Sequence, residues 1–385
     1  MNRPIVPFMQ APHKRMRFLT FKALLLAASS IGLNSGSFAA NAYWDEFGEQ
    51  PVFIQQIREH SEQTLKFVGF EGDRLIAEME IDGRLGEMSV PVSETMASNF
   101  RFDLAVMDEA KMLIGKQKFA EANDLLRPKV YPLIKFHQVP EMMDEMHNAI
   151  RILLDSVLSQ GELAEADDLI NRLVLDKIDI KYSEIAIRLM EAHIEAEDFN
   201  AAARIAKVLP KHGEYSVNIT PVINAANALR GVGNYEAVIP LYREIVDIVP
   251  AKMRTNIRMW LAYSLVLAER VDEASPIIDS MQEPATTDRS YSLYKLLQGS
   301  RDHRNENYKN ALDTLTRGFV RAQTSYVWVP EMLYLIGDCY AKTEAPMSAR
   351  NVWSEIKILY PDSPWATNAA EAMEKLPKEG LFDFE

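Results

Sequence analysis

Residues 219–250 read ITPVINAANALRGVGNYEAVIPLYREIVDIVP, and the rest of the chain is organised around the pattern they carry. Pro221 to Leu229 predicts a short amphipathic helix. Gly231 and Gly233 end it, because glycine weakens a helix interior and accepts the left-handed backbone of a C-cap. Asn234 is placed to cap a second helix running to about Ile248, and Pro250 stops that helix. Tyr235, Val238, Tyr242 and Ile245 recur at three- and four-residue spacing, so they share one face. Two short helices cannot bury such a face alone. The stretch needs neighbours of its own kind.

Those neighbours are present. The turn and second-helix start recur as Lys118-Phe119-Ala120-Glu121-Ala122, Glu162-Leu163-Ala164-Glu165-Ala166, Asp198-Phe199-Asn200-Ala201-Ala202, Asn234-Tyr235-Glu236-Ala237-Val238, Arg270-Val271-Asp272-Glu273-Ala274, Asn307-Tyr308-Lys309-Asn310-Ala311 and Ala345-Pro346-Met347-Ser348-Ala349. The apolar residue after each turn falls at 119, 163, 199, 235, 271, 308 and 346, in steps of 44, 36, 36, 36, 37 and 38. Three equal central steps are a repeat signal. The last copy has the fullest first helix, with Leu333, Ile336, Gly337 and Tyr340, followed by Ala349, Trp353 and Pro361.

This pattern resembles the tetratricopeptide repeat, in which a large apolar residue, a Leu-Gly pair, an aromatic, an Ala, a Phe and a Pro recur about every 34 residues. The resemblance covers residues 103–361 and is closest at 219–250 and 330–361. The Leu-Gly pair stands here only as Gln298-Gly299 and Ile336-Gly337, and the steps exceed the family period, which leaves the superhelix pitch open. The resemblance implies a mostly α, right-handed helical-hairpin solenoid of about seven repeats. It also implies that the first helices line a concave groove.

The ends of the chain differ from its middle. Residues 1–42 carry Arg3, Lys14, Arg15, Arg17 and Lys22 and no acid, then an apolar run at 23–33, then small residues ending Ala40-Asn41-Ala42. That order is a secretory signal peptide, with an uncleaved anchor as the alternative. The run is too short for a comfortable membrane span. Translation from Met16 would give a more compact leader than translation from Met1. No cysteine sits at the cleavage site to carry a lipid, and the one cysteine, Cys339, reads as a small buried residue inside the last repeat.

Residues 43–98 form a separate N-terminal unit. Pro51 predicts the start of a helix carrying Val52, Ile54 and Ile57. From Leu65 to Val92 the period changes to two, with Leu75, Ala77, Met79 and Ile81 alternating and Asp82-Gly83 as a hairpin turn, so a small three-stranded β-meander is expected. A sheet of that size needs a packing partner. It is either a cap for the first repeat or a recognition module. Helical repeats then occupy 99–362, with the three-proline stretch Arg127–Pro140 read as a loop or a bend. Residues 363–376 predict a capping helix, and 377–385 an acidic-aromatic tail.

Composition narrows the partners. The chain has 385 residues, 48% apolar and 25% charged, with a formal net charge of −13. Removal of the leader takes five basic residues and no acid, leaving about −18. Such a charge argues against nucleic acid and anionic membranes. No zinc-protease, phosphate-loop or nucleophile-elbow motif occurs. The pairs Glu191/His193 and Asp144/His147 lack a third ligand and read as solvated faces, so neither metal nor cofactor is expected.

Aligning the repeats by their turns brings Arg151, Arg188, Asn224 and Trp260 to one position on the first helices, to within a residue, and Asp155, Glu191, Asn227 and Tyr263 one turn further on. Families of this resemblance that clamp a peptide terminus use Lys, Asn and Arg at these places. Asn224, Asn227 and Arg188 match in type, while the lysines are missing. The eight residues are therefore the candidate partner-binding groove. The function expected is a non-enzymatic, exported scaffold or adaptor of the bacterial cell envelope, periplasmic, holding a protein or peptide partner. The alternative is an accessory module binding polysaccharide or peptidoglycan through Trp260 and Tyr263.

Overall fold

The computed structural model describes residues 42–58, 61–81, 84–93, 97 and 99–377. The leader through Asn41, the Asp82-Gly83 turn and the tail from Lys378 lie outside the described residues. The described chain is a mostly α helical-hairpin solenoid preceded by a small antiparallel sheet.

The hairpins pair α1 (Met107–Gly115) with α2 (Phe119–Ile134), α3 (Asp144–Gln160) with α4 (Leu163–Asn171), and α5 (Ile180–Glu195) with α6 (Phe199–Val208). They continue with α7 (Ile219–Gly231) and α8 (Tyr235–Ile245), α9 (Ala251–Leu267) and α10 (Val271–Asp279), α11 (Ser290–Arg304) and α12 (Tyr308–Phe319), and α13 (Val329–Lys342) and α14 (Pro346–Leu359). The capping helix α15 (Pro364–Glu374) closes the row, its first turn capped by the Ser363 hydroxyl, which accepts from the Trp365 amide.

One backbone device makes all seven turns. A left-handed residue stands two places before each repeat's first apolar residue: Gln117, Gly161, Glu197, Gly233, Glu269, Glu306 and Glu344, with φ between 59° and 88°. The next amide bonds back five residues, as in Lys118 N to Leu113 O, Asn234 N to Leu229 O and Ala345 N to Tyr340 O. These are Schellman closures, which satisfy a helix's last carbonyls and turn the chain sharply. Asn234 does not cap α8 through its side chain. Its amide nitrogen donates instead to Asn200 Oδ1 of the preceding repeat at 3.1 Å.

Packing explains the glycines of the Leu-Gly positions. A Cβ on Gly337 would stand 2.3 Å from Trp353 Nε1, and one on Gly299 would stand 2.5 Å from Leu315 Cγ. Each glycine lets the second helix of its own hairpin lay a large side chain against the first. Tyr242 is fully buried, while its neighbour Tyr235 is only partly covered and meets the Tyr263 ring edge-on at 6.3 Å.

The meander expected at 65–92 is present as β2 (Ser61–Glu71), β3 (Arg74–Ile81) and β4 (Arg84–Pro91), and two more strands join it. The order is β4-β3-β2-β1-β5, with β1 at Val52–Arg58 and β5 at Phe100–Phe102, all antiparallel. The helix expected from Pro51 is thus a strand. Val52, Ile54 and Gln56 are buried while Phe53 and Gln55 are exposed, so the true period there is two. Phe67 carries the buried face onto the helical array, meeting Phe102 at 5.6 Å and Phe136, just past α2, at 4.7 Å.

The three-proline stretch is also not a loop for most of its length. α2 runs through Pro128 and Pro132 to Ile134, and its extra turns contribute to the 44-residue step. Proline normally interrupts a helix by removing an amide donor. Here the segment is held by tertiary contacts: Val130, Tyr131, Pro132, Leu133 and Ile134 are all buried.

Candidate functional site

First helices of successive hairpins lie against one another, α3 on α5 on α7 and α9 on α11 on α13. The eight residues singled out by repeat alignment all lie on this row, on α3, α5, α7 and α9.

In the N-terminal half the charges are mutually paired. Arg151 approaches Asp144 at 3.3 Å and Asp179 at 3.6 Å. Arg188 of α5 pairs with Asp155 of α3, joining two members of the set. Glu191 and Asn224 are exposed, and the Asn224 side chain makes no hydrogen bond among the described residues. Asn227 accepts from the Tyr242 hydroxyl at 3.1 Å, which orients its amide toward its own hairpin.

Trp260 and Tyr263 sit in a different setting. Their rings meet edge-on at 5.6 Å. The Arg230 guanidinium, at the end of α7, lies over Trp260 at 3.4 Å from the ring centroid. Trp328, just before α13, approaches Trp260 at 5.8 Å and Tyr326 at 4.8 Å, and its indole donates to Ser292 Oγ at 3.1 Å. Arg289 lies 4.8 Å from the Tyr326 centroid and 5.6 Å from that of Trp328. An arginine therefore stands at each end of an aromatic ladder.

The Tyr263 hydroxyl donates to Glu331 of α13 at 2.6 Å. Burial raises the Glu331 carboxyl to about 7, against the lowering effect of the Tyr263 bond and of Arg304. Burial and the adjacent Glu331 push the Tyr263 hydroxyl well above its ordinary range. Burial lowers the Arg230 guanidinium, and its Nη1 is sealed from solvent with no hydrogen-bond partner among the described residues.

Sequence reading missed Arg230, Arg289, Trp328 and Glu331. Arg230 and Arg289 fall outside the aligned positions, in a helix's last turn and in a loop, so repeat alignment has no register for them. It missed a second buried cluster as well. Arg127 of α2 gives two bonds to Glu165 of α4 at 3.0 and 2.8 Å, and Tyr131 donates to the same carboxylate at 2.9 Å. Burial would lower the Arg127 guanidinium, but Glu165 outweighs it and the net direction is up. Tyr43 covers this arginine at 4.2 Å, and Trp44 lies under Arg172 at 3.9 Å, so the segment before β1 is docked on α2 and α4.

Of the two histidine pairs, the acids Asp144 and Glu191 are on solvated faces and the histidines are not. His147 is 2% exposed and bonds Val139 O and the Tyr182 hydroxyl, each at 3.0 Å. His193 is 4% exposed, beside Asp167 at 3.3 Å. Among the described residues no group of three or more His, Cys, Asp and Glu is placed to hold a metal. Cys339 is buried, and burial with nearby Asp338 pushes its thiol up to about 12, which makes it unreactive. Among the described residues no helix is long and apolar enough to cross a membrane.

Neither a protein-family model nor a curated protein sequence matches the chain. Among solved structures, Naa15/Naa10 bound to HypK-THB aligns over 71% of this chain and 40% of that one, at 12% identity and a TM-score of 0.37. The APC/C hetero-tetramer Cut9–Hcn1 aligns over 73% of this chain and 54% of that one, at 14% identity and a TM-score of 0.37. BtubC from P. vanneervenii aligns over 71% of this chain and 94% of that one, at 12% identity and a TM-score of 0.26. The chain spans about half the length of the first two or less.

Proposed function

We propose that this chain is a non-enzymatic scaffold that holds an extended segment of a protein partner along the row of first helices, in the envelope of a bacterium after export. The observation that carries the reading is the tie between Tyr263 and Glu331, two hairpins apart. Side chains of α9 and α13 meet across α11, which supports reading the first-helix side as the inner side of a bend, and an inward-curved helical row is the surface by which such solenoids take extended ligands. Asn224, with its amide free to donate and accept, and the exposed Arg188–Asp155 pair line that side. Export is supported by the basic, apolar, small-residue order of residues 1–42.

Protein is favoured over polysaccharide by the setting of Trp260. Sugar platforms present an open aromatic face, whereas Arg230 lies over this one at 3.4 Å. The test is site-specific photocrosslinking in the native envelope. A photoreactive residue at Asn224 should trap a protein, and one at Asn310 on α12 should not. Equal labelling at both, or none at Asn224, would exclude the inner row. N-terminal sequencing of the exported chain checks the leader, with cleavage expected before Ala40 or after Ala42.

A further inference from the structure

We infer that the arginine-capped aromatic ladder is a subsite for acidic side chains, so that the partner segment carries Asp or Glu beside an apolar residue. This rests on the protein-binding reading above and specifies its chemistry.

Charge pairing along the row is uneven. Arg151 and Arg188, toward the N-terminus, each have a carboxylate. Arg230 and Arg289 have none among the described residues, in a chain whose formal net charge is −13. Acids close in sequence to Arg289 or bonded to the ladder are already engaged. Asp288 accepts from the Ser290 amide and hydroxyl at 2.8 and 2.7 Å, Glu283 pairs with Lys295 at 3.0 Å, and Glu331 takes the Tyr263 hydroxyl.

Arg230 is the sharper case. Arg127 shows how this fold settles a buried guanidinium, with two bonds to one carboxylate and an exposure of 5%. Arg230 is desolvated on one side, with Nη1 unpartnered, yet the residue remains partly open to solvent. A buried cation without a counter-charge is costly, and an incoming carboxylate relieves that cost. Stacking on Trp260 holds the guanidinium plane still, which pre-organises its edge for a carboxylate. Arg289, exposed at the far end, offers a second and more salt-sensitive contact. Between them the Trp328 and Tyr326 rings are mostly buried, and Trp260 is partly open to an apolar side chain.

The test is selection from a displayed library of random peptides of about a dozen residues, on the parent chain and on Arg230→Gln and Arg289→Gln variants shown to melt like the parent. The parent pool is expected to be enriched in Asp and Glu over the naive library. A synthetic peptide from that pool should lose about tenfold or more in affinity to Arg230→Gln, less to Arg289→Gln, and about tenfold or more when its acids become amides. Inorganic phosphate at millimolar concentration should not compete. A pool without acidic enrichment, amide peptides that bind equally, an Arg230→Gln variant that binds like the parent, or competition by phosphate would each overturn the subsite. If non-acidic binders are lost with Trp260→Ala or Asn224→Arg, the protein-binding row stands and only the acidic chemistry fails. If no peptide is selected, or binders ignore every change on the row, both fail.

Discussion

The Tyr263 hydroxyl and the Glu331 carboxyl, 68 residues apart in sequence, are joined by a 2.6 Å hydrogen bond between α9 and α13. The bond bypasses the intervening hairpin, so it reports how the repeats stack rather than how any one is built. It also places an acid in the interior, bonded to a phenol. Glu331 is 2% exposed.

That burial sets a pH dependence. The folded carboxyl titrates near 7 and the unfolded one near 4.5. Between those values the folded chain retains a proton that the unfolded chain has lost, so stability falls as pH rises from about 4.5 to 7 and levels off above. The contribution is up to about 3 kcal/mol. Glu331→Gln keeps an acceptor for Tyr263 without a charge. Denaturant unfolding of parent and variant should show the variant gaining on the parent between pH 5 and pH 8. A difference that does not change with pH would show that Glu331 does not titrate there.

Gly337→Ala should destabilise by about 1–3 kcal/mol, because the new methyl meets the ring of Trp353 rather than a yielding chain end. The indole would have to leave its bond to Tyr334 O, now 3.1 Å. Gly231→Ala is the control, since a Cβ there meets nothing within 4 Å. It should be neutral or stabilising by up to about 1 kcal/mol. Thermal melts of the two variants give the comparison, and equal effects would refute the packing account.

Glu306→Gly should stabilise the chain. Glu306 holds φ at 60° in its turn and its side chain is exposed. Relief of left-handed strain at a non-glycine residue is about 1–2 kcal/mol, offset in part by the freer unfolded chain, which leaves about 0.5–1 kcal/mol. A lowered midpoint in urea would mean that the turn carries no strain to relieve.

Tyr242→Ala should cost about 3–5 kcal/mol, as for a large aromatic removed from a packed core. Tyr242→Phe should cost only about 1 kcal/mol, since it loses the bond to Asn227 and keeps the ring. A Tyr242→Ala loss below about 1 kcal/mol would place this residue on a surface rather than between helices.

Much of the helical array was legible because its determinants are local. The left-handed residues stand at 117, 161, 197, 233, 269, 306 and 344, always two before the apolar residue whose recurrence reveals the repeat. Only two of the seven are glycine, so glycine alone would not have found the turns. The apolar period did. The candidate site was legible only as a set of positions. Alignment placed Trp260 and Asn224 on the same row of helices, but not Trp260 under Arg230, nor Asn224 free of partners.

The sequence by itself therefore determined the number of hairpins and where each turns, since a helix, its Schellman turn and its partner helix lie within about forty residues of chain. Tertiary structure alone decided the rest. It made Val52–Arg58 a strand by supplying Ser61–Glu71 on one side and Phe100–Phe102 on the other. It carried α2 through Pro128 and Pro132 by burying the segment that follows the first proline. It also decided which arginines have a carboxylate and which do not. The pairings of Arg127 with Glu165 and of Arg188 with Asp155 join residues from different hairpins, and their geometry depends on the twist between repeats, a quantity that the repeat period does not encode.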